Sequence, residues 1–344
     1  MKRYEILPFY FPTTVVFVDD SVSFLDNLIL HLDPKLAFRL FDSVADALMM
    51  VNMEGRVIPE TGRYFAPYPF PEELPYGHRA IDLDVDLIHR EVHNEHRFEQ
   101  VSVVVVDYEM PGIDGLEFCR NIKDPAVKKI LLTGKADEKI AVGAFNEGII
   151  DRFITKREPK AAAILNETIV EMQHAYFHYA ARMLREALKI GKPAFLHDPL
   201  FAGRFRQTCS ELGIVEYYLC GEPDGMLLID AHGKAYQLIV KTDGAMLGHF
   251  EIAHDQAAPD GLLTALKSGR MVPNFWRTRG EYSPEHQDDW TRYMHPATEF
   301  VGLQWYTYAV VKNPPAFKMD YIYPYYRYLD DLDEAGRNGT QGRT

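Results

Sequence analysis

The chain has 344 residues, a formal net charge of −13, 25% charged and 47% hydrophobic residues. That is enough material for two or three cores, and it excludes a disordered or low-complexity chain. No run approaches the ~20 apolar residues of a membrane span. Three cysteines cannot all pair, which points to a reducing, cytoplasmic setting, and the acidic balance disfavours non-specific binding of nucleic acid or anionic membrane.

In chain order, Pro8-Phe9-Tyr10-Phe11-Pro12 is too apolar for a free tail and is expected to pack on the first domain or on a second chain. Residues 14–18 form an apolar strand that ends at Asp19-Asp20. Ser21 can cap a helix carrying Val22, Leu25, Leu28 and Ile29 on one side. Residues 36–41 read as a second strand, and residues 43–50 as the start of a helix. Five prolines make 59–77 irregular. The spacing of Ile81, Val85, Ile88, Val92 and His96 predicts a helix over 80–98. His89, His93 and His96 would share its face, but no cysteine or acid cluster completes a ligand set, so a polar face is the better reading.

Residues 101–106 are an almost unbroken run of valine, suited to a parallel strand buried on both faces. The run stops at Asp107, and Met110-Pro111-Gly112 turns the chain. Residues 129–132 form a strand that ends at Thr133-Gly134, and residues 151–155 another that ends at Lys156. Four strand ends thus offer three carboxylates, a hydroxyl and an ammonium. Open α/β sheets place their ligand sites at such ends. Clustered carboxylates repel unless a cation joins them, and an all-oxygen set of this charge suits Mg²⁺.

Residues 13–157 resemble the receiver domain of two-component response regulators. The resemblance is carried by Asp19-Asp20, by the block from Asp107 to Gly115 with its Met-Pro-Gly-x-Asp-Gly pattern, by Thr133 and by Lys156. It implies a flavodoxin-like, doubly wound α/β fold with five parallel strands in the order 2-1-3-4-5. It also implies that Asp107 accepts a phosphoryl group from a sensor histidine kinase or phosphotransfer protein. Asp19, Asp20, Asp107 and the backbone carbonyl of Glu109 would hold Mg²⁺. Thr133 would bond the phosphoryl oxygens, Lys156 would pair with the phosphate, and Phe153 would be the aromatic switch. One departure is Arg157, where such domains usually have proline. Another is length. The 87 positions from Asp20 to Asp107 are about forty more than such a domain needs, which places an insertion at 52–100, where loops absorb it cheaply. Residues 1–157 are therefore expected to form one domain.

Residues 158–190 contain no glycine or proline after Pro159. Leu165, Ile169, Met172, Tyr176, Tyr179, Met183, Ala187 and Ile190 follow a near-heptad spacing. This predicts one connecting helix about 45 Å long that pairs two chains into a homodimer, the favoured reading, or else lies along its own output domain. Residues 191–344 are expected to form an α+β output domain. Its phrase from Asp224 to Lys234 resembles the opening hairpin of a PAS-type sensor domain. Residues 300–312 and 320–329 read as strands, and 331–344 as a polar, frayed end. From 191 onward, 15 Lys+Arg face 20 Asp+Glu, a net −5, so DNA binding is not expected. Arg270, Arg277 and Arg279 beside Trp276 form one local basic patch, which leaves open a small-molecule or nucleotide ligand.

The layout is similar to the response regulators of α-hydroxyketone quorum-sensing systems. The expected whole is a cytoplasmic, non-enzymatic phosphoprotein with a non-standard output. A receiver-gated enzyme and a transcription regulator are the alternatives.

Overall fold

Five apolar runs that each end in a polar residue or a turn line up as one parallel sheet. They are β1 (Thr14–Val18), β2 (Phe38–Phe41), β3 (Val101–Asp107), β4 (Lys128–Thr133) and β5 (Arg152–Thr155), ordered β2-β1-β3-β4-β5. The structure is a computed structural model that describes residues 5–53, 61–69, 72, 75, 78, 80–134, 138–158, 160–190, 193–221 and 224–341. All seven residues of β3 are buried, as a central strand covered on both faces requires. Helices α1 (Val22–Ile29), α2 (Val44–Val51), α3 (Gly115–Arg120), α4 (Glu138–Asn146) and α5 (Ala161–Ala180) supply the cover. On one face, Leu25 and Leu28 of α1 and Leu165, Ile169 and Met172 of α5 pack with Val15, Phe17, Val103 and Val105. This is the flavodoxin-like order expected from the sequence.

The chain divides into two compact units, each built from separated stretches. Residues 12–60, 96–182 and 328–344 form the unit with the parallel sheet, and residues 1–11, 61–95 and 183–327 form the other. The boundaries expected at 157 and 191 are thus replaced. The second unit is built on a six-stranded antiparallel sheet in the order Phe9–Tyr10, Ile214–Cys220, Gly225–Asp230, Ala235–Thr242, Trp305–Lys312, Thr298–Val301. Helix Pro199–Leu212 covers one face, with Phe205 against Tyr217 and Phe201 against Tyr306 at ring separations of 5.0 Å. Helices Asp243–Asp255 and Asp260–Lys267 cover part of the other, packing on Ile239 and Ala309. The hairpin at Asp230 forms where the PAS-like resemblance put it. Its turn is tied by Asp230 Oδ1, which accepts from the amides of His232 and Lys234 at 2.9 and 3.0 Å. At Gly225 a Cβ would lie 1.9 Å from the carbonyl oxygen of Leu238, so only glycine lets these strands close.

Four expectations need correction. The first concerns the N-terminal aromatic segment, which adds a strand to the antiparallel sheet. Phe9 and Tyr10 stand opposite Tyr218 and Tyr217, and Phe9 lies 6.3 Å from the ring of Tyr64. Second, no single helix spans 80–98. Ile81–Leu83 is a strand paired with Phe65–Pro67. Asp84 Oδ1 then accepts from the amides of Asp86 and Leu87 and starts a four-residue helix, Asp86–His89. Tyr64, Ile88 and Val92 are buried, so the insertion contributes core to the antiparallel unit. His93 and His96 are exposed and belong to different units, and the histidine trio is dispersed. Much of the proline-rich stretch lies outside the described residues.

Third, the 158–190 helix breaks at Ala181 into α5 and Arg182–Ile190. Leu165, Ile169, Met172 and Tyr176 are buried within their own unit, and beyond the break Leu184 and Leu188 are buried while Met183 and Ile190 are exposed. The turn shifts the phase by one residue, and the seam needs no second chain to cover it. Fourth, residues 320–329 are not a strand. Helix Tyr325–Gln341 forms there, and Tyr328 is buried with its hydroxyl 2.6 Å from Thr14 Oγ1.

Removing residues 1–11 is expected to cost the antiparallel unit most of its stability. Ile6, Leu7, Phe9 and Phe11 are all at most 4% exposed, and each such side chain contributes about 1.5–3 kcal/mol. Urea unfolding followed by tyrosine and tryptophan fluorescence measures it. An unchanged midpoint would show the added strand to be dispensable.

Candidate functional site

The carboxyl ends of β1, β3, β4 and β5 meet at one edge of the parallel sheet. Hydrogen-bond register aligns them, with Val18 opposite Val106, Asp107 opposite Leu132 and Thr133 opposite Thr155. Asp19 and Asp107 are buried and Asp20 is exposed, and each offers a carboxylate oxygen within 4.8 Å of the others. Lys156, one residue past β5, reaches back to them. Its Nζ lies 2.8 Å from Asp19 Oδ2 and 2.9 Å from Asp107 Oδ2. The free oxygens are also held, since the amide of Ser21 donates to Asp19 Oδ1 and that of Tyr108 to Asp107 Oδ1, both at 2.9 Å.

Electrostatics set the protonation. Burial raises the Asp107 pKa above the ordinary carboxylate range. The hydrogen bond and charge of Lys156 pull it back, and the charge of Asp19 pushes it up again. For Lys156 burial alone would lower the pKa, but hydrogen bonds and charge from Asp107 and Asp19 outweigh it and raise the value. Both values rise, which favours the charged lysine but the neutral acid, because the lysine has two anions while Asp107 has one cation, a neighbouring anion and burial as its largest influence. Three carboxylates and one ammonium leave a formal charge of −2 when all are ionised. A hard divalent cation with oxygen ligands matches both that charge and the donor set, so these residues fit Mg²⁺.

The remaining expected residues lie on the same strands or just past their ends. Thr133 is buried at the end of β4, and its hydroxyl donates to the Gly134 carbonyl at 2.6 Å. Glu109 is exposed in the bend that follows β3, where its backbone carbonyl is the expected ligand. Phe153 is half-buried on β5, opposite Leu131. Sequence reasoning missed Phe24. Its ring lies 4.3 Å from Lys156 Nζ, a cation–π contact that steadies the ammonium. The only signal for it was the position of Phe24 in the first turn of α1, after the cap at Ser21.

Gly115 fixes how α3 leaves the site. A Cβ there would lie 2.2 Å from the Asp107 carbonyl oxygen and 3.0 Å from Leu131 Cδ1. Gly115→Ala is therefore expected to destabilise the fold by about 1–3 kcal/mol, the usual cost of overpacking. Thermal unfolding checks this, and an unchanged midpoint would mean that α3 can shift freely.

The other candidates do not converge. Arg270, Arg277 and Arg279 are exposed, with Arg277 stacked 4.8 Å over the Trp276 ring. Burial pushes the Cys209 thiol up to about 12 and the Cys220 thiol higher still, so neither is a thiolate nucleophile near neutrality. Burial also lowers His249 to about 4, assisted by the charge of Lys241.

The family described as response regulator receiver domain matches residues 88–167. A solved structure of the Legionella pneumophila response regulator LqsR is similar over 96% of this chain and 97% of its own, at 39% identity and a TM-score of 0.78. A stretch of 65 residues is 37% identical to the cyclic di-GMP phosphodiesterase response regulator RpfG of Xanthomonas campestris pv. campestris (strain 8004). That stretch covers 18% of this chain and 17% of RpfG.

Proposed function

The chain belongs to the two-component response regulators, and from that premise we propose that Asp107 takes a phosphoryl group from a sensor histidine kinase or phosphotransfer protein. The observation that carries this is the bridge from Lys156 to both buried carboxylates, Asp19 and Asp107. Asp19, Asp20, Asp107 and the Glu109 carbonyl would hold Mg²⁺, which when bound supplies positive charge against the nucleophile and the donor.

Asp107 attacks phosphorus in line, and the leaving group departs with the bonding pair. Lys156 then exchanges a carboxylate partner for the phosphoryl oxygens. Thr133 gives up its bond to the Gly134 carbonyl and donates to the same oxygens. Phe153, on the adjoining strand, follows that loop and reports the change, which shifts a two-state equilibrium of the chain.

The antiparallel unit is the output, read as a non-enzymatic signalling module. The non-standard antiparallel output, into which the insertion is built, supports a role in α-hydroxyketone quorum sensing. Three free cysteines support a cytoplasmic location, and among the described residues no helix is long and apolar enough to cross a membrane. The reading is tested by incubating the chain with Mg²⁺ and acetyl phosphate. Mass spectrometry should find one phosphoryl group, labile as an acyl phosphate, on the peptide containing Asp107. No uptake from acetyl phosphate or from any histidine-phosphorylated donor would overturn it.

A further inference from the structure

Beside the acidic site, α1, β4, β5 and the start of α5 enclose a cavity of about 190 Å³ that opens to solvent on one side. Its floor is Leu28, Leu132, Ile154 and Leu165, all buried. Its rim includes Phe24 and the stem of Lys156. An apolar cavity of ~150 Å³ is enough to take up benzene, so this one is of a size for a molecule of six to eight heavy atoms. The polar side chains of the lining, Asn27, His31 and Lys156, stand at its rim and the floor is apolar, so a polar or ionic guest would lose hydration on the floor without compensation. Two of its walls also belong to the acidic site. Lys156 turns its stem to the cavity and its ammonium to Asp19 and Asp107, and the Phe24 ring lies 4.3 Å from that ammonium. A guest packed against Phe24 and the lysine stem cannot leave the ammonium indifferent. A metal ion acts on the same group from the other side, because it competes with the ammonium for the carboxylates.

We propose that this cavity binds one small uncharged apolar molecule, aromatic or short-chain aliphatic, and that its occupancy is coupled to metal binding at the acidic site through Lys156 and Phe24. The coupling rests on the metal-binding reading above; the cavity does not. Linkage makes the effect reciprocal, so the guest changes metal affinity by the factor by which the metal changes guest affinity.

Fluorobenzene, followed by fluorine-19 NMR, is a suitable probe for the full-length protein. It is expected to bind saturably at millimolar concentration and to be displaced by toluene. Ala162→Phe, from the first turn of α5, should fill the cavity and abolish binding. Asn27→Trp, from the exposed side of α1, should do the same from the opposite rim, in case the first variant is poorly folded. Mn²⁺ affinity, read by electron paramagnetic resonance, should shift by about fivefold or more when fluorobenzene is saturating, the lower end of ordinary coupling. It should not shift in the filled variants. No saturable binding, or binding that persists in both folded variants, would overturn the site. Binding with unchanged Mn²⁺ affinity would overturn the coupling. A chain that binds fluorobenzene but no Mn²⁺ would sink the metal reading, and the coupling with it, while leaving the cavity established.

Discussion

Replacing Asp107 with asparagine is expected to abolish phosphoryl uptake from acetyl phosphate and Mg²⁺. The amide is a poor nucleophile and brings no charge to the metal. The same variant should be more stable than the wild type in metal-free buffer at neutral pH, because burial and the charge of Asp19 both work against an ionised Asp107. The sign follows from the raised pKa. The folded chain holds the Asp107 proton more tightly than the unfolded chain does. That contribution favours the fold in acid and is lost as pH rises through the folded pKa. The advantage of Asp107→Asn should therefore grow with pH, and Mg²⁺ should shrink it by stabilising the wild type. At ten times its dissociation constant the ion contributes about 1.4 kcal/mol. Urea midpoints at several pH values, with and without Mg²⁺, measure all of this. Undiminished labelling of the variant would move the acceptor elsewhere. Asp20 is exposed, so Asp20→Ala should leave the fold intact and lose the Mg²⁺ dependence.

Changing Ile169 and Met172 together to glutamate is expected to unfold the parallel-sheet unit without altering the molecular mass of the particle. Both side chains are at most 4% exposed and sit in one cluster with Val103, Val105 and Leu132. An uncompensated buried carboxylate costs several kcal/mol, and two on successive turns approach the roughly 5–15 kcal/mol that holds a typical domain together. Circular dichroism should lose helical signal, and phosphoryl uptake should vanish with it. Had the row been a seam between two chains, light scattering would instead report dissociation to a monomer that still takes phosphate.

The contrast shows where the sequence was legible. The valine run ending at Asp107, the acid pair and the lysine could be placed because a strand buried on both faces leaves a strong local pattern and its end locates the site. The row from Leu165 to Tyr176 was equally clear as a buried face, but periodicity says that a face is covered and not by what. The turn at Ala181 has neither glycine nor proline to announce it, so the phase was carried one residue too far. Likewise Asp84 caps a short helix within a stretch whose spacing suggested one long one. The aromatic cluster at 8–12 was read as buried, yet its partner lies some two hundred positions away, beyond the reach of any local pattern. The cation–π contact of Phe24 depends on a side-chain position that no spacing encodes.

That last separation has a consequence for how the protein is made. Phe9 and Tyr10 pair with Tyr218 and Tyr217, so they leave the ribosome about two hundred residues ahead of their partners. At roughly 5–20 residues per second, the aromatic segment waits about 10–40 s before its neighbouring strand exists. For all that time it lacks the strand it pairs with, while the five strands of the parallel sheet, the last ending at Thr155, have already been made. Synthesis of this regulator thus asks more of the chaperones that shield nascent chains than a protein whose two domains emerge and close one after the other.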